Sequence, residues 1–281
     1  MKKYFLSILF VLLIAPLAFG QGMITIGKKK GECSGWNCGF TGDTNIVAWY
    51  RFESGALTTD SSETGNTLTA SANSPTVDTV IYKEGSASSS HNYANAQHYY
   101  ITDNNLSAGF PCKNGTTNNV FSVTAWVNAD TLTSGYNHTI VSKWDSGESD
   151  RSFYCSIDAD HSSQVRFTLG YNAGESSSTY YHGTTLDDDT WYHITCAYRD
   201  SDKTYSIRVR DASGNTVGDD IETTWENNIN VEDGEFAIGS FYYNSAYYGG
   251  SRFNGHLDEV VIWNKFVSAT ESTNISKGDY K

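Results

Sequence analysis

The stretch TWYHITCAYRDSDKTYSIRVRD, residues 190–211, decides the fold class of this chain. Apolar and polar side chains alternate on both sides of its central Asp-Ser-Asp-Lys turn, as expected of two antiparallel strands with one buried face. The side chains expected to face the core are Ile194, Cys196, Tyr198, Tyr205, Ile207 and Val209. The segment therefore predicts a β-hairpin that covers a hydrophobic core.

Similar short alternating runs, separated by clusters of turn residues, flank this hairpin on both sides. The clearest lie at 46–53, 98–102, 120–128, 138–144, 151–158, 164–171, 234–242 and 253–264. Their inward positions are expected to be Phe121, Val123, Ala125, Val127, Phe153, Cys155, Ile157, Val165, Phe167 and Leu169. The run at 253–264 is apolar on nearly every position, as a centrally placed strand would be. The chain is therefore predicted to be all-β, a two-sheet antiparallel sandwich of about a dozen strands.

One short C-terminal helix is also predicted. Ser268 and Glu271 have the spacing of a capping box, in which each side chain accepts a hydrogen bond from the other residue's backbone. We expect the helix to begin after Ser268 and to end near Gly278.

Composition and charge restrict the class of partner. The chain holds 19 Tyr, 13 Phe and 7 Trp, which favour β structure, and 32 acidic against 19 basic residues. Nucleic acid is an unsuitable partner because phosphate binding needs clustered cations. The excess of carboxylates instead suits calcium, which takes oxygen ligands.

The N-terminal residues are expected to lie outside the sandwich. Residues 1–20 have a short basic start, an apolar stretch and small residues before a cleavage point, which predicts a secretory signal peptide and a secreted or cell-surface protein. Translation from Met23 would remove that signal. Residues 21–44 are interpreted as a lead-in rich in Gly and Lys, and 45–281 as the sandwich; no stable membrane span is expected.

The 5 cysteines allow local or long-range pairing in an exported protein. Cys33 and Cys38 are close in sequence, so a bridge between them is expected. Cys155 and Cys196 occupy core-facing positions of two predicted strands. They either form a disulfide or remain buried thiols.

Five segments, taken in order, resemble the laminin G-like jelly roll of the concanavalin A-like lectin and glucanase superfamily. They are IVAWYRFESG with the following DSS, FSVTAWVNAD, LDDDTWYHITCAYR, FAIGS and GHLDEVVIWNKFVSATE, and they span residues 45–278. Val261 and Val267 depart from the family pattern, where Arg and Leu are usual. The resemblance implies two curved sheets packed face to face, with ligands bound on the concave sheet or at the rim loops.

The resemblance also implies a calcium site that joins the opening and closing segments. The matching positions in this chain are Glu53, Asp60 and Asp258, which together with backbone carbonyls would satisfy a calcium ion. The alternative is that these carboxylates only cap turns.

No catalytic motif is visible in the sequence. Glucanases of this superfamily carry paired carboxylates on one strand, because glycoside cleavage needs two carboxyl groups at a fixed separation. Asp187, Asp188 and Asp189 lie in a predicted turn, and Asp158 and Asp160 have no Glu partner. We therefore expect a protein that is not an enzyme.

Aromatic residues at strand ends and loops are the candidate ligand platform, because flat rings stack on sugar faces. They are Trp144 with the adjacent Asp145, and the doublets Tyr180-Tyr181, Tyr242-Tyr243 and Tyr247-Tyr248. Such doublets also occur as ordinary rim residues of β proteins. A candidate stripe for an anionic glycan is formed by Arg166, His193, Arg208 and Arg210, unless these residues pair with carboxylates.

The sequence supports two functions. The first is a carbohydrate- or surface-binding module whose partner is a glycan or another cell-surface component. The second is a structural or adhesive extracellular or virion protein that uses the sandwich to contact other protein subunits.

Overall fold

The computed structural model describes residues 38–117, 119–132, 137–145, 147, 149–243 and 246–281. The strands of this part are β1 (Ile46–Tyr50), β2 (Thr69–Ala70), β3 (Thr76–Asp78), β4 (Ser88–His91), β5 (Tyr99–Ile101), β6 (Val120–Ala129), β7 (Asn137–Asp145), β8 (Asp150–Asp158), β9 (Gln164–Tyr171), β10 (Ser176–Thr185), β11 (Trp191–Arg199), β12 (Thr204–Arg210), β13 (Ile221–Thr224), β14 (Phe236–Ile238), β15 (Tyr242–Tyr243), β16 (Ala246–Tyr247) and β17 (Gly255–Trp263). Short 3-10 helices lie at Cys38–Phe40, Tyr93–Asn95, Asp103–Asn105, Ala159–His161 and Gly249–Ser251, and one α-helix, α1, at Ala269–Ser276.

The strands form two sheets. The eight-stranded sheet has the order β13-β12-β11-β6-β17-β4-β3, with β1 also paired to β17. The nine-stranded sheet has the order β10-β9-β8-β7-β14-β5-β2, and β15 and β16 extend from β7. Among the described strands, all pairings are antiparallel except a single parallel contact between β15 and β7. The predicted two-sheet sandwich with one C-terminal helix is confirmed.

The main hydrophobic core lies between the sheets, and every inward residue named from the alternation belongs to it. Two smaller apolar clusters lie apart from this core. One contains Phe40, Trp49 and Trp263, and the other contains Trp144, Tyr154 and Phe241. Side chains of these clusters follow the opposite alternation, so they mark the outer faces of the two sheets.

Strand β17 occupies a central position, as its apolar sequence predicts, but it carries a bulge. The register against β6 shifts between Asp258 and Val261, and Glu259 has a φ of 48°. The extra residue lets Leu257 and Val260 both face the core although they are three positions apart. The bulge also leaves Asp258 and Glu259 buried beside each other.

The capping box forms as predicted. The Ser268 hydroxyl accepts from the Glu271 backbone, and the Glu271 carboxylate accepts from the Ser268 backbone at 2.9 Å. Helix α1 ends at Ser276, just before Gly278. No helix among the described residues is long and apolar enough to cross a membrane.

The end of the predicted lead-in packs against the sandwich. The Phe40 ring lies 5.2 Å from that of Trp49 and 5.1 Å from that of Trp263, in edge-to-face geometry. Phe40, which precedes the predicted boundary at residue 45, therefore packs on the outer face of the eight-stranded sheet. The predicted signal peptide and residues 21–37 lie outside the described residues.

Cys112, Cys155 and Cys196 are free and buried. Cys155 in β8 and Cys196 in β11 face each other from opposite sheets. Burial and the neighbouring Cys155 thiol hold the pKa of Cys196 well above its usual value. Of the two alternatives for Cys155 and Cys196, the structure has the buried thiols, packed as small apolar side chains. The predicted bridge from Cys38 involves Cys33, which lies outside the described residues.

Candidate ligand-binding site

Aromatic rings form a continuous stack on the outer face of the nine-stranded sheet. The Trp144 and Tyr154 rings meet edge to face, with centres 4.9 Å apart. Tyr154 stacks on Phe241 at 5.4 Å, and Phe241 stacks on Tyr248 at 5.5 Å. Trp144 is only 4% exposed, whereas Tyr248 is 44% exposed. The stack therefore extends from the buried ring of Trp144 to the solvent-exposed ring of Tyr248.

Two arginine side chains lie over the buried rings of this stack. The guanidinium carbon of Arg166 lies 4.9 Å from the centre of the Tyr154 ring, and that of Arg151 lies 5.9 Å from the Trp144 ring. Arg166 is held by Asp158, with 3.2 Å between Nη1 and Oδ2. Arg151 is anchored by donating from Nη1 to the Glu175 carbonyl at 2.9 Å. The two cations are thus fixed before any ligand arrives.

The rings and arginines line one cavity of about 400 Å³, which we call the aromatic pocket. Its lining residues are Trp144, Arg151, Tyr154, Arg166, Ser177, Phe241 and Tyr248. The volume lies within the range of small-ligand sites, and the lining combines apolar rings with a few fixed polar groups. Burial raises the pKa of Tyr154, so its hydroxyl remains protonated at neutral pH. This pocket can stack a flat, partly apolar ligand while donating hydrogen bonds to its oxygens.

The structure brings only part of the predicted platform to this pocket. Trp144 and Tyr248 line it, and Asp145 follows at the strand end, where its carboxylate accepts from the Gly147 backbone. Tyr247 is used for packing: its hydroxyl donates to Glu235 and its ring lies 3.6 Å from that of His98. Tyr242 meets the Tyr247 ring edge to face. The side chain of Tyr243 lies outside the described part of the chain.

The two tyrosines of β10 face opposite sides of the sheet. Tyr180 points to the core side and stacks on Tyr205 at 4.0 Å. Tyr181 lies on the outer face, where it stacks on His161 and donates to Asp158 at 3.0 Å. Burial raises the pKa of Tyr181 to about 12. Neither residue lines the aromatic pocket, although Tyr181 shares Asp158 with Arg166.

The predicted arginine stripe is divided between the two sheets. Arg166 belongs to the outer face of the nine-stranded sheet, whereas Arg208 and Arg210 are buried on the eight-stranded sheet. There they pair with carboxylates: Arg208 with Glu222, and Arg210 with Asp220 at 2.6 Å. The prediction of a single anionic-ligand stripe is therefore wrong, because Arg166 lies on a different sheet from Arg208 and Arg210 and all three arginines are paired with carboxylates.

Tyr154, Phe241 and Arg151 are pocket residues that the sequence interpretation did not select. Tyr154 carried a usable signal, since it alternates with the core residues Phe153 and Cys155 and so places a ring on the outer face. Phe241 carried no such signal in the sequence, because the position of its ring in the pocket depends on the turn after β14. Arg151 reaches the pocket through an irregular register between β7 and β8.

The three predicted calcium ligands fall into two groups. Asp60 accepts from the backbone of Trp49 and Asn66 and from the Thr64 hydroxyl at 2.9–3.0 Å, and it also accepts from the backbone and hydroxyl of Ser62. It therefore organises its own loop as a turn residue. Glu53 and Asp258 instead both contact the turn at 83–86.

The turn at 83–86 lies between these two carboxylates. Asp258 Oδ2 accepts from the backbone of Lys83 and Glu84, each at 2.9 Å, and Glu53 Oε2 accepts from the Ser86 hydroxyl at 2.7 Å. Burial, reinforced by the Glu53 charge, raises the pKa of Asp258 to about 7. Asp258 Oδ1 is buried and has no described hydrogen-bond partner. The described residues contain no group of three or more His, Cys, Asp or Glu side chains placed around one metal position.

Comparison with known proteins identifies the family. A laminin G model, described as the concanavalin A-like lectin/glucanases superfamily, matches residues 102–271, more than half of the 281-residue chain. The chain belongs to this superfamily. No curated protein matches the chain.

Solved structures share this fold. The fourth domain of an extracellular arabinanase from Geobacillus stearothermophilus, in complex with arabinotriose, has a TM-score of 0.57 and 16% identity, covering 83% of this chain and 98% of that domain. The binding domain of botulinum neurotoxin DC, in complex with rat synaptotagmin II, has a TM-score of 0.52 and 12% identity, covering 83% of this chain and 51% of the other. At these identities the similarity establishes the concanavalin A-like fold alone.

Proposed function

We propose that this chain is an extracellular, non-catalytic carbohydrate-binding module and that its ligand site is the aromatic pocket. One observation carries the proposal: the exposed Tyr248 ring tops a buried aromatic stack in a cavity flanked by two anchored arginines. Sugars present apolar faces bordered by hydroxyl groups, so they suit a site that offers rings and directed donors together.

Each part of the pocket has a separate role in this proposal. Tyr248 supplies the exposed face on which a sugar ring stacks, and Phe241 supports the Tyr248 ring from its other side. Arg166 and Arg151 donate to ring or hydroxyl oxygens, and their anchors reduce the entropy lost when a ligand binds. The Tyr154 ring lies beneath the Arg166 guanidinium and stacks on Phe241, so it holds both side chains in position.

A glycan array tests this function directly. The purified protein should bind a defined set of glycans, and Tyr248→Ala should bind the same set more weakly. Arabino-oligosaccharides belong in the panel because a protein of the same fold was solved with arabinotriose. The absence of binding to any glycan on the array would contradict the proposal.

We also propose that a calcium ion stabilises the module where the opening and closing segments meet. Support comes from Asp258 Oδ1, a buried oxygen without a described partner, and from the nearby Glu53 carboxylate. These two residues would hold the ion together with backbone carbonyls, and Asp60 would act only through its own loop. The ion would neutralise the buried Asp258 carboxylate and the half-buried Glu53 carboxylate.

The non-catalytic part of the proposal rests on the strand sequences, which lack the paired carboxylates of glucanases. Reducing-end assays on the glycans that bind should show no product. Release of product that disappears on substitution of one carboxylate would contradict this part. The extracellular part rests on residues 1–20, and cleavage before Gln21 in mature protein would support it.

The second function, a structural or adhesive protein, is favoured by a different surface. Val77, Val80, Ile81 and Tyr82 are exposed at the β3 edge of the eight-stranded sheet, and Val80 is 85% exposed. Edge strands offer unpaired backbone groups to another chain, and a second copy of the same edge would serve as that partner. Sedimentation should then detect a dimer that Val80→Asp dissociates, whereas a monomer at all concentrations would contradict this function.

A further inference from the structure

A second cavity lies at the end of β9. It has a volume of about 430 Å³. Its lining residues are Tyr171, Asn172, Ala173, Asn227, Asn228, Ile229 and Asn230, and we call it the amide pocket. Four of these seven side chains are amides and none carries a formal charge at neutral pH. The chemistry of this cavity differs from that of the aromatic pocket, where two guanidinium groups are present.

The two pockets are joined through Arg151. Its side chain lines the aromatic pocket, while its carbonyl oxygen accepts from Asn230 Nδ2 at 3.1 Å in the amide pocket. Asn230 also donates from its backbone to Gly170 at 3.0 Å. The Arg151 guanidinium also donates to the backbone carbonyl of Glu175. Glu175 ends the turn at 172–175, which forms one edge of the amide pocket and is called its lip. Arg151 therefore contacts residues of both cavities.

The turn at 172–175 contacts both cavities, since Asn172 and Ala173 line the amide pocket and the Glu175 carbonyl accepts from Arg151 of the aromatic pocket, and its backbone is constrained. Asn172, Ala173 and Gly174 have φ values of 60°, 52° and 78°. Asn and Gly tolerate this left-handed region, but Ala does so at a cost. A side chain at Gly174 would collide with the Ser149 carbonyl, so the turn lies tightly against the start of β8. The lip of the amide pocket is thus held in place.

The asparagine side chains can recognise an uncharged, hydroxyl-rich group. Each amide donates and accepts hydrogen bonds, as sugar hydroxyls do. The Asn172 and Asn227 amides make no hydrogen bond among the described contacts, whereas Asn228 Oδ1 accepts from Lys203. The Lys203 charge is paired with Asp200 at 2.7 Å, so the site offers little attraction to an anion.

We infer that the amide pocket is a second sugar subsite, which binds a neutral unit of the same oligosaccharide whose other unit occupies the aromatic pocket. This inference rests on the proposed function, because it extends that ligand rather than naming a separate one. It predicts a ligand that is a chain of several sugars, bound across the 172–175 turn. Affinity should then depend on chain length.

Two substitutions remove the side-chain amides of Asn172 and Asn227, which make no described hydrogen bond, so the contacts that hold the pocket together are kept. Asn172→Gly deletes the side chain at a position where Gly keeps the left-handed backbone, and Asn227→Ala deletes the other. The probes are linear arabino-oligosaccharides and β-gluco-oligosaccharides, from single sugars to six-unit chains, measured by calorimetry. For wild type we expect longer chains to bind roughly tenfold more tightly than single sugars. The double variant should bind all lengths with the single-sugar affinity.

The control variant Tyr248→Ala separates the inference from the proposed function, because it should weaken binding of every length. Affinity independent of length in the wild type would overturn the second subsite and leave the aromatic pocket intact. A length dependence that survives in the double variant would also overturn it. If no probe of any length binds, the proposed function fails for these sugars and the inference fails with it.

Discussion

The guanidinium of Arg166 lies over the ring of Tyr154, with 4.9 Å between the guanidinium carbon and the ring centre. Asp158 also holds this guanidinium, with 3.2 Å between its Oδ2 and Arg166 Nη1. An arginine fixed between an aromatic face and a carboxylate has a defined donor direction, which a flexible lysine lacks. This relationship makes Arg166 a positioned donor of the aromatic pocket.

Arg166→Lys is expected to weaken glycan binding about tenfold, equivalent to about 1.4 kcal/mol. The charge is retained, but the planar fork and its stacking on Tyr154 are lost. Calorimetry with the best glycan from the array measures the effect. Arg199→Lys is the matched control, since Arg199 pairs with Asp202 on the other sheet and lines a different surface. An equal loss of glycan affinity in the two variants would show that the Arg166 guanidinium has no specific role in binding.

Much of the fold could be predicted because it follows from local patterns. Alternation identified the core residues of strands such as β11 and β12, and the capping box located α1. The packing of Phe40 on Trp49 could not be predicted, since a single ring in a Gly-rich segment shows no periodicity.

The site was less predictable because it combines residues from several strands and turns. Trp144 and Tyr248 were identified as candidate residues of a ligand platform, but whether a tyrosine doublet packs or binds depends on neighbours such as His98 and Tyr205. Register irregularities also moved Arg151 and Glu259 from the positions that simple alternation gives them. Such bulges have no signature in a single sequence.

Calcium should stabilise the wild-type protein, since binding to the folded state alone adds RT ln(1 + [L]/Kd). At a calcium concentration about a hundredfold above Kd this is about 2.7 kcal/mol, or about 5–8 °C in Tm for a domain of this size. Asp258→Asn should abolish the difference between calcium and chelator in a thermal melt. Asp60→Asn is the comparison: it should lower Tm in both conditions and leave the difference intact. A wild-type Tm that chelator does not change would refute the site.

Reducing agent should leave the Tm of the described domain unchanged, because Cys112, Cys155 and Cys196 are free thiols. Alkylation in denaturant without prior reduction should modify all three, as peptide mass spectrometry would detect. Protection of Cys155 and Cys196 until reduction would contradict this arrangement of the core.

Asp150 provides a test of pH dependence. Burial and the neighbouring acids, chiefly Asp233, raise its pKa to about 6. The folded state therefore binds the proton more tightly than the unfolded state, whose carboxyl titrates near 4. This group favours folding most at low pH, and its contribution is lost as pH rises through about 6.

Asp150→Asn should consequently raise Tm at pH 8, where the like charges repel, and the gain should shrink towards pH 4. Glu226→Gln is the control, because Glu226 is an exposed carboxylate outside this cluster. A gain that is independent of pH, or one shared by the control, would contradict the assigned repulsion.

The central claim is that the aromatic pocket binds glycan, and the affinity of Tyr248→Ala tests it most directly. Tyr82→Ala is the matched control: Tyr82 is 41% exposed, close to the 44% of Tyr248, but belongs to the edge of the eight-stranded sheet. Calorimetry with the best array glycan should show about a tenfold loss, or about 1.4 kcal/mol, for Tyr248→Ala and no change for Tyr82→Ala. Unchanged affinity in Tyr248→Ala, with a folded protein confirmed by its melt, would contradict the account.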